Sequence, residues 1–559
     1  MKKHPDNTLY YGDNLLIMRD RMKAESADLI YLDPPFKSNQ NYNLVYKTLT
    51  GKPVPEQAEA FCDTWEMDAE KEAIARSMPV LLREHGVPDY YVEFWRLWMK
   101  ALEHTEKPLL AYLIYMVQRL LYMKVVLRSR GSIYLHCDPE ASHYIKVMMD
   151  GIFGHNNFRN EIIWKRTSAH SASKRWNDVH DVVLYYTKSD KYTWNQVRVA
   201  HSDEYQARFK RVDEKGQKWT DDNLTGPGLR KGESGQAWRG FDPSLKGSHW
   251  KVSNRAVEAI VGAEKSKQMG TLEKLELLNE HGLIYWPKKD GQRSFPRFKR
   301  VLDARGGTIQ DIVMDIAPVN SQAKERLGYP TQKPKALLKR IIEASSNPGD
   351  VIFDPFCGCG TTIYAAQEMQ RNWIGCDVAI LAIRLIREKL TGPDYRLVEG
   401  HDFWVDGIPA SVEAAEDLFK SDPFQFQHWA VERVGGFPTQ KRSGDLGIDG
   451  RLYFEVGREL RSMVLSVKGG HLRPTDIRDL RGVLERERDV ELAGFISLKE
   501  PTKAMREEAA RAGMFGYGQE SYPRLQLLTV KDIVEDKREF QTPTKVGSRI
   551  ATGQTALPL

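Results

Sequence analysis

Apolar and polar positions along this chain fall into two distinct rhythms. The first is a short apolar run, Ala27–Leu32, which ends on Asp33-Pro34-Pro35-Phe36. Apolar runs of that length bounded by breakers read as buried strands, and two successive prolines cannot continue a central ladder. The pattern therefore predicts a strand that runs into a rigid loop at the carboxyl edge of a sheet. Helical periodicity follows over 107–128, and a second strand is expected at 132–136. Later the alternation returns as a helix over 336–345, a strand at 350–353, a glycine loop, a helix over 361–370 and a strand at 373–376. Strand, loop, helix, strand in that order is a Rossmann-type unit and places the chain in the α/β class.

The intervening stretch, about 157–300, has weak periodicity and is rich in Lys, Arg, Gly, Ser and Trp, as in Gly226-Pro227-Gly228-Leu229-Arg230-Lys231. It reads as an inserted recognition region within a first domain spanning 1–400. Residues 401–423 are polar and acidic and read as a connection. A second, smaller α/β pattern occupies 424–540, and the Thr-, Gly- and Pro-rich residues 541–559 read as a disordered tail. A chain of 559 residues exceeds what one core comfortably fills, so more than one domain is expected.

Composition changes this picture only locally. Hydrophobic residues at 41% and charged residues at 28% describe an ordinary globular protein, and the formal net charge is a modest +6. Arg, Lys and Trp crowd together between Trp164 and Lys251, which suits either a nucleic-acid surface or a solvated charged face. The five cysteines follow neither disulfide-scaffold nor zinc-finger spacing, so a reducing, cytoplasmic setting is expected. The most apolar helix candidate is interrupted by Gln118, Arg119 and Lys124, and neither a signal peptide nor a membrane span is expected.

Two motifs carry chemistry. Asp354-Pro355-Phe356-Cys357-Gly358-Cys359-Gly360-Thr361 lies between a strand and a helix, where glycines let the backbone approach a ligand and the helix start offers free N–H groups. Asp377 ends the next strand, where a carboxylate can accept hydrogen bonds from ribose hydroxyls, so the pair points to an adenosine-containing cofactor. Asp33-Pro34-Pro35-Phe36 complements it. An exocyclic amine on a base is a weak nucleophile because its lone pair is delocalised into the ring. A carboxylate and a proline-fixed carbonyl can draw on its hydrogens, and a phenylalanine can stack on a base flipped out of the duplex. Taken alone, Asp-Pro-Pro is also an ordinary turn.

In combination these motifs resemble the amino-methyltransferases of DNA. The order is catalytic motif, basic insertion, Tyr329-Pro330-Thr331-Gln332-Lys333-Pro334, then glycine loop. It is similar to the circularly permuted β group that includes the Mod subunits of type III restriction systems. Further matches are Gly131 to His136 with Asp138, Asn156-Asn157-Phe158, and Ile163-Trp164-Lys165-Arg166, so the resemblance covers roughly residues 5–400. It implies S-adenosyl-L-methionine as cofactor and double-stranded DNA as substrate. Asp33, Pro34, Pro35 and Phe36 would meet the target base, and Thr331, Gln332, Lys333 and Pro334 the methionine end of the cofactor. Asp354, Phe356, Gly358, Gly360 and Thr361 would form its loop, Asp377 would hold the ribose, and Asp13, preferred over Asp402, would lie near the adenine. A homodimer and a restriction or defence partner are further implications. Family members acting on N4 of cytosine more often carry serine at the position of Asp33, which favours N6 of adenine. Carbon-5 methylation is set aside because the chain has no Pro-Cys dipeptide.

Within 424–540, Asp449 before one strand and Lys468 at the end of another resemble the PD-(D/E)XK nuclease fold of the Mrr type. The resemblance implies a Mg2+ site at Asp449, with Glu432 in support. Ser466 stands where that family expects glutamate or glutamine, and Glu485 on the following helix is the candidate substitute. The sequence thus predicts a DNA methyltransferase fused to a restriction-endonuclease-like domain. The alternatives are a bifunctional restriction-modification protein, an N4-cytosine enzyme, a silent DNA-binding protein, and a methyltransferase of protein glutamine or RNA. Intact Asp33, Phe36, Gly358 and Gly360 argue against silence, and the permuted order with its basic insertion favours DNA.

Overall fold

Nine strands form the principal sheet: β1 Thr8–Tyr11, β2 Ala27–Leu32, β3 Leu127–Cys137, β4 Phe158–Lys165, β5 His180–Thr187, β6 Ile312–Val313, β7 Val351–Asp354, β8 Asn372–Asp377 and β9 Trp404–Asp406. The computed structural model describes residues 7–35, 65–167, 174, 176–320, 323, 325–327, 332–439, 447–457, 459–487 and 489–543. Phe36 and Thr331, both expected at the site, and the tail from 544 onward lie outside the described residues. Across the sheet the order is β6-β4-β5-β3-β2-β7-β8-β1-β9. Neighbours run parallel except around β5, which is antiparallel to β3 and β4. Central strands are covered on both faces, which is why β2 and β7 are almost continuously apolar.

The topology creates the crevice. β2 leads onward to β3 on one side of the sheet, whereas β7 leads through the helix Thr361–Glu368 to β8 on the other. Loops leaving the adjacent ends of β2 and β7 therefore diverge, and such a switch point leaves an open cleft at the carboxyl edge. Behind it lies the helix Lys107–Val126. It is long and apolar enough to cross a membrane by length and composition, yet it is apolar nearly all round because it is packed inside the protein, from Leu109 to Val126.

The insertion is narrower than the composition indicates. β4 and β5, within 157–195, belong to the principal sheet, and the separate compact unit is 196–309. That unit has a four-stranded sheet and four α-helices, Asp203–Gln206, Asn254–Val261, Ala263–Gln268 and Thr271–Glu280. Its own core comprises Leu224, Trp238, Trp250, Val257, Leu275, Leu278 and Ile284.

Residues 401–423, read as a connection, supply β9 and the helix Val412–Ser421. After the helix Pro423–Arg433 comes a five-stranded sheet in the order Phe437–Pro438, Gly450–Val456, Glu459–Lys468, Val490–Ser497, Leu525–Thr529. The first three strands pair antiparallel and the last three parallel, with the helix Pro474–Arg486 as crossover. One face forms its own core, with Val464 and Phe495 packed against Ile477, Leu480 and Leu484, whereas the other face is shared with the first sheet. Phe426, Trp429, Leu452 and Leu465 belong to one buried cluster with Leu9, Ile363, Ile383 and Ile386 of the first sheet.

Candidate active site

Four adjacent parallel strands, in the order β2, β7, β8 and β1, each end in or just before an aspartate: Asp33, Asp354, Asp377 and Asp13. Parallel pairing puts all four at one edge of the sheet, although the first and last are separated by hundreds of residues from the middle pair. Asp33 follows β2 and is held by a partner the sequence does not pair with it. Lys333 Nζ donates to Asp33 Oδ2 at 2.5 Å, and both side chains are largely shielded from solvent. Lys333 is placed by its neighbours: Gln332 Nε2 donates to the Glu325 carbonyl, Gln332 Oε1 accepts from Leu327 N, and Pro334 sits just before the helix Lys335–Ser345.

Beneath Asp33 runs a buried polar chain. Tyr31 hydroxyl and His136 Nδ1 lie 2.9 Å apart, and His136 Nε2 lies 3.1 Å from Asp181 Oδ2. Register explains the meeting, because Tyr31 pairs with Tyr134 across β2 and β3, and His136 with Val183 across β3 and β5. Burial pushes the Asp181 carboxyl up, but the His136 hydrogen bond and charge, with Lys333 and Arg166, outweigh it and hold the group below its ordinary value. Arg166 Nε lies 3.3 Å from Asp181 Oδ1.

The second half of the cleft is the glycine loop. Asp354 Oδ1 accepts from Phe356 N at 3.0 Å, and Gly358 N donates to Asp377 Oδ2 at 2.8 Å. Gly360 has φ +83 and precedes the helix Thr361–Glu368; a Cβ there would lie 2.6 Å from Ile386 Cγ1. Only glycine fits that turn without displacing its neighbour. Thr361, at the helix start, is buried, with its hydroxyl 3.6 Å from Cys359 Sγ. Asp377 also accepts from Ala379 N through Oδ1 at 2.9 Å. Burial pushes Asp377 up to about 6 against the pull of these backbone N–H groups. Burial, with Asp33 and Asp377 adding to it, pushes Asp354 up to about 7. Burial thus raises two neighbouring carboxyls at the same sheet edge, a perturbation of the kind that clusters at ligand sites.

Asp13 lies beside this loop with its carboxylate already engaged. It caps the helix Asn14–Asp20 by accepting from Leu15 N, and Arg119 Nη2 donates to both of its oxygens at 2.8 Å. Arg119 Nε donates to Asn14 Oδ1, and Asn14 Nδ2 donates to the Pro355 carbonyl at 2.7 Å. Arg119, Asn14 and Tyr115, whose ring lies 6.5 Å from that of Phe356, brace the loop and were not singled out from the sequence. The available signal was a single arginine on a mostly apolar helix. Asp402 closes a turn by accepting from Val398 N, away from this edge.

The candidate metal residues are not gathered. Asp449 Oδ2 accepts from Val467 N at 2.6 Å and from Ser466 Oγ at 3.3 Å. Lys468 ends the strand Glu459–Lys468, Glu485 pairs with Arg524, and Glu432 accepts from Tyr11 hydroxyl at 3.1 Å, in the first domain. Among the described residues no group of three or more His, Cys, Asp or Glu is placed to hold a metal ion. The expected Mg2+ set does not fit this arrangement, because a serine hydroxyl replaces the second carboxylate and the supporting acids face elsewhere. The crowded Arg, Lys and Trp residues between Trp164 and Lys251 are not uniformly exposed. Trp238 is buried and stacks on Trp286, and Arg239 pairs with Glu276, whereas Trp176 is 96% exposed.

With this geometry in view, similarity to known proteins is informative. The type II methyltransferase M.EcaI of Enterobacter cloacae is 28% identical over 387 residues, covering 69% of each chain. The StyLTI Mod subunit, a type III restriction-modification enzyme of Salmonella typhimurium, is 27% identical over 403 residues, 67% of this chain and 53% of its own. The DNA adenine methyltransferase YhdJ of Escherichia coli is 50% identical over 66 residues, 12% of this chain and 22% of its own. The solved M1.HpyAVI–SAM complex aligns with a TM-score of 0.28 and 15% identity, covering 68% of this chain and 99% of that one. The N6/N4 methyltransferase family, described as DNA methylase, matches residues 27–388, which is well over half of the sequence and runs from β2 through β8. The chain belongs to this DNA methylase family.

Proposed function

We propose that this protein transfers a methyl group from S-adenosylmethionine to N6 of an adenine flipped out of double-stranded DNA. The observation that carries the reading is the juxtaposition, at one switch point, of the Asp33 loop with the Asp354 to Gly360 loop and Asp377. The residues present suit the cofactor: Asp377 holds a buried carboxylate at its strand end, next to the glycine loop whose Gly358 N–H donates to it. When bound, it supplies an electrophilic methyl carbon on a sulfonium sulfur. Asp33 and the Pro34 carbonyl accept the hydrogens of the target amine, so that its lone pair turns toward that carbon. Transfer would exchange the S–C bond for the new N–C bond, leaving a neutral thioether, and the amine proton would pass by way of the Asp33 carboxylate to solvent. Lys333, bridging to Asp33, positions the carboxylate; the buried Tyr31, His136 and Asp181 chain supports that loop from below. The aspartate at 33 favours adenine over cytosine.

Roles for Phe36 against the base and Thr331 against the cofactor remain part of this proposal, as does the use of the 196–309 unit for target recognition. For the C-terminal region, the antiparallel-then-parallel strand order supports a nuclease-like fold without a working metal site. We assign it no cleavage step, and Mg2+-dependent nicking abolished by Asp449→Ala or Lys468→Ala would reverse that assignment.

The test is long-read sequencing of plasmid DNA from a methylation-free host expressing the protein, beside its Asp33→Ala variant. A motif-specific N6-methyladenine signal lost in the variant is expected, with cofactor binding retained. An N4-methylcytosine signal corrects the base; undiminished methylation in the variant overturns the role of Asp33.

A further inference from the structure

The helix Pro423–Arg433 lies outside the family match, which ends at residue 388, yet two of its side chains reach the loop that follows Asp377. Glu432 accepts from Ile380 N at 3.3 Å and from Tyr11 hydroxyl at 3.1 Å. Gln425 Nε2 donates to the Val378 carbonyl at 3.2 Å, and Gln425 is buried. Val378 to Ile380 is the turn whose Ala379 N–H is already bonded to Asp377, and Tyr11 ends β1, next to Gly12, whose N–H donates to the Asp377 carbonyl. The same helix buries Phe426, Trp429, Ala430 and Val431, so its polar residues are held in place by packing.

We infer that the C-terminal region positions the cofactor site: Glu432 and Gln425 clamp the turn after Asp377, so that the Asp377 carboxylate is preset for the ribose. The inference rests on the ribose role proposed for Asp377. The Asp377 carboxylate is held by Gly358 N and Ala379 N and its carbonyl by Gly12 N, so the clamp acts through the Val378 to Ile380 turn that carries the Ala379 donor. Preorganisation of that kind changes affinity without touching the reacting atoms. Burial pushes the Glu432 carboxyl up to about 8, against the pull of the Ile380 and Tyr11 hydrogen bonds, which is consistent with a group enclosed between two domains and not with a solvated surface acid.

The test is calorimetric titration of full-length protein with S-adenosylmethionine, together with KM and kcat for methyl transfer, in Glu432→Ala, Glu432→Gln and Asp377→Ala. Glu432→Ala is expected to raise both Kd and KM for the cofactor about tenfold, with kcat at saturating cofactor within twofold of the parent. Glu432→Gln, which keeps an acceptor for Ile380 N–H and Tyr11 hydroxyl, is expected to recover most of that loss. Cofactor affinity within twofold of the parent in Glu432→Ala overturns the clamp, as does a Glu432→Gln variant that binds as poorly as Glu432→Ala. Should Glu432→Ala fail to fold, Tyr11→Phe and Gln425→Leu decide: a threefold or greater rise in KM is expected, and unchanged values overturn the inference. Unchanged affinity in Asp377→Ala refutes the ribose reading itself, whereas weak binding there with normal binding in Glu432→Ala refutes only the clamp.

Discussion

At the scale of single residues, the cleft concentrates acids that burial makes reluctant to ionise. Asp377 illustrates the consequence, because its carboxyl is pushed up to about 6. On the ribose role proposed for Asp377, hydroxyls would donate to the ionised form, so a proton would compete with the cofactor once the pH falls below that value. Affinity for S-adenosylmethionine is expected to hold steady above pH 7 and to fall toward tenfold per unit below pH 6. Titrations between pH 5 and 8 measure this, and Asp377→Asn is expected to flatten that step. Arg119 illustrates the converse case, a buried cation joined to Asp13 and Asn14. Arg119→Met leaves both partners without it and is expected to cost on the order of 2–4 kcal/mol, toward the lower figure because the Asp13 side chain stays partly exposed. Chemical denaturation measures it, and the double variant with Asp13→Asn is expected to recover part of the loss.

At the scale of elements, the two site loops are shaped by different constraints. Asp33-Pro34-Pro35 is rigid because proline locks φ and removes donors, so β2 stops where its last apolar residue stops. The glycine loop is rigid because its turn admits nothing larger. Gly360→Ala would introduce a methyl group 2.6 Å from Ile386 Cγ1 at φ +83. The expected cost is about 1–3 kcal/mol, with the helix Thr361–Glu368 displaced and cofactor affinity reduced alongside. A melting temperature and affinity both equal to the parent's would contradict that account. Elements were legible wherever the apolar period was strong, as with β2 and β7. They were misjudged where polar residues lie on paired backbone: β4, β5 and β9 fall in stretches whose composition resembled insertion or connection.

At the scale of the molecule, the C-terminal region is joined to the methyltransferase sheet by a shared apolar cluster rather than tethered by a linker. Full-length protein is expected to unfold in one calorimetric transition that takes in both regions. A chain stopped after residue 408 leaves Ile383 and Ile386 without the cluster contributed by Phe426 and Trp429, and is expected to aggregate or to lose cooperative melting. A monodisperse, sharply melting fragment would show that the two regions fold independently. This joining also explains why the domain boundary was hard to read: acidic, polar residues on the outer face of Val412–Ser421 conceal the few apolar ones, such as Ala415, that face inward.

The sequence by itself determined what depends on neighbours in the chain: the strand that stops at two prolines, the glycine loop opening a helix, the acid at the end of the next strand, and through these the family and its chemistry. Contiguous motifs survive in one dimension because their function needs a local backbone shape. Tertiary structure alone decided which distant groups meet. Lys333 reaches Asp33 across 300 positions, Arg119 reaches Asp13 across 106, and Tyr11 meets Glu432 across 421. The last pairing moved Glu432 from an expected metal site to the turn behind Asp377. The physical reason is common to all three: parallel strands bring remote residues to one sheet edge, and a buried charge takes the nearest partner that packing provides, which no local pattern encodes.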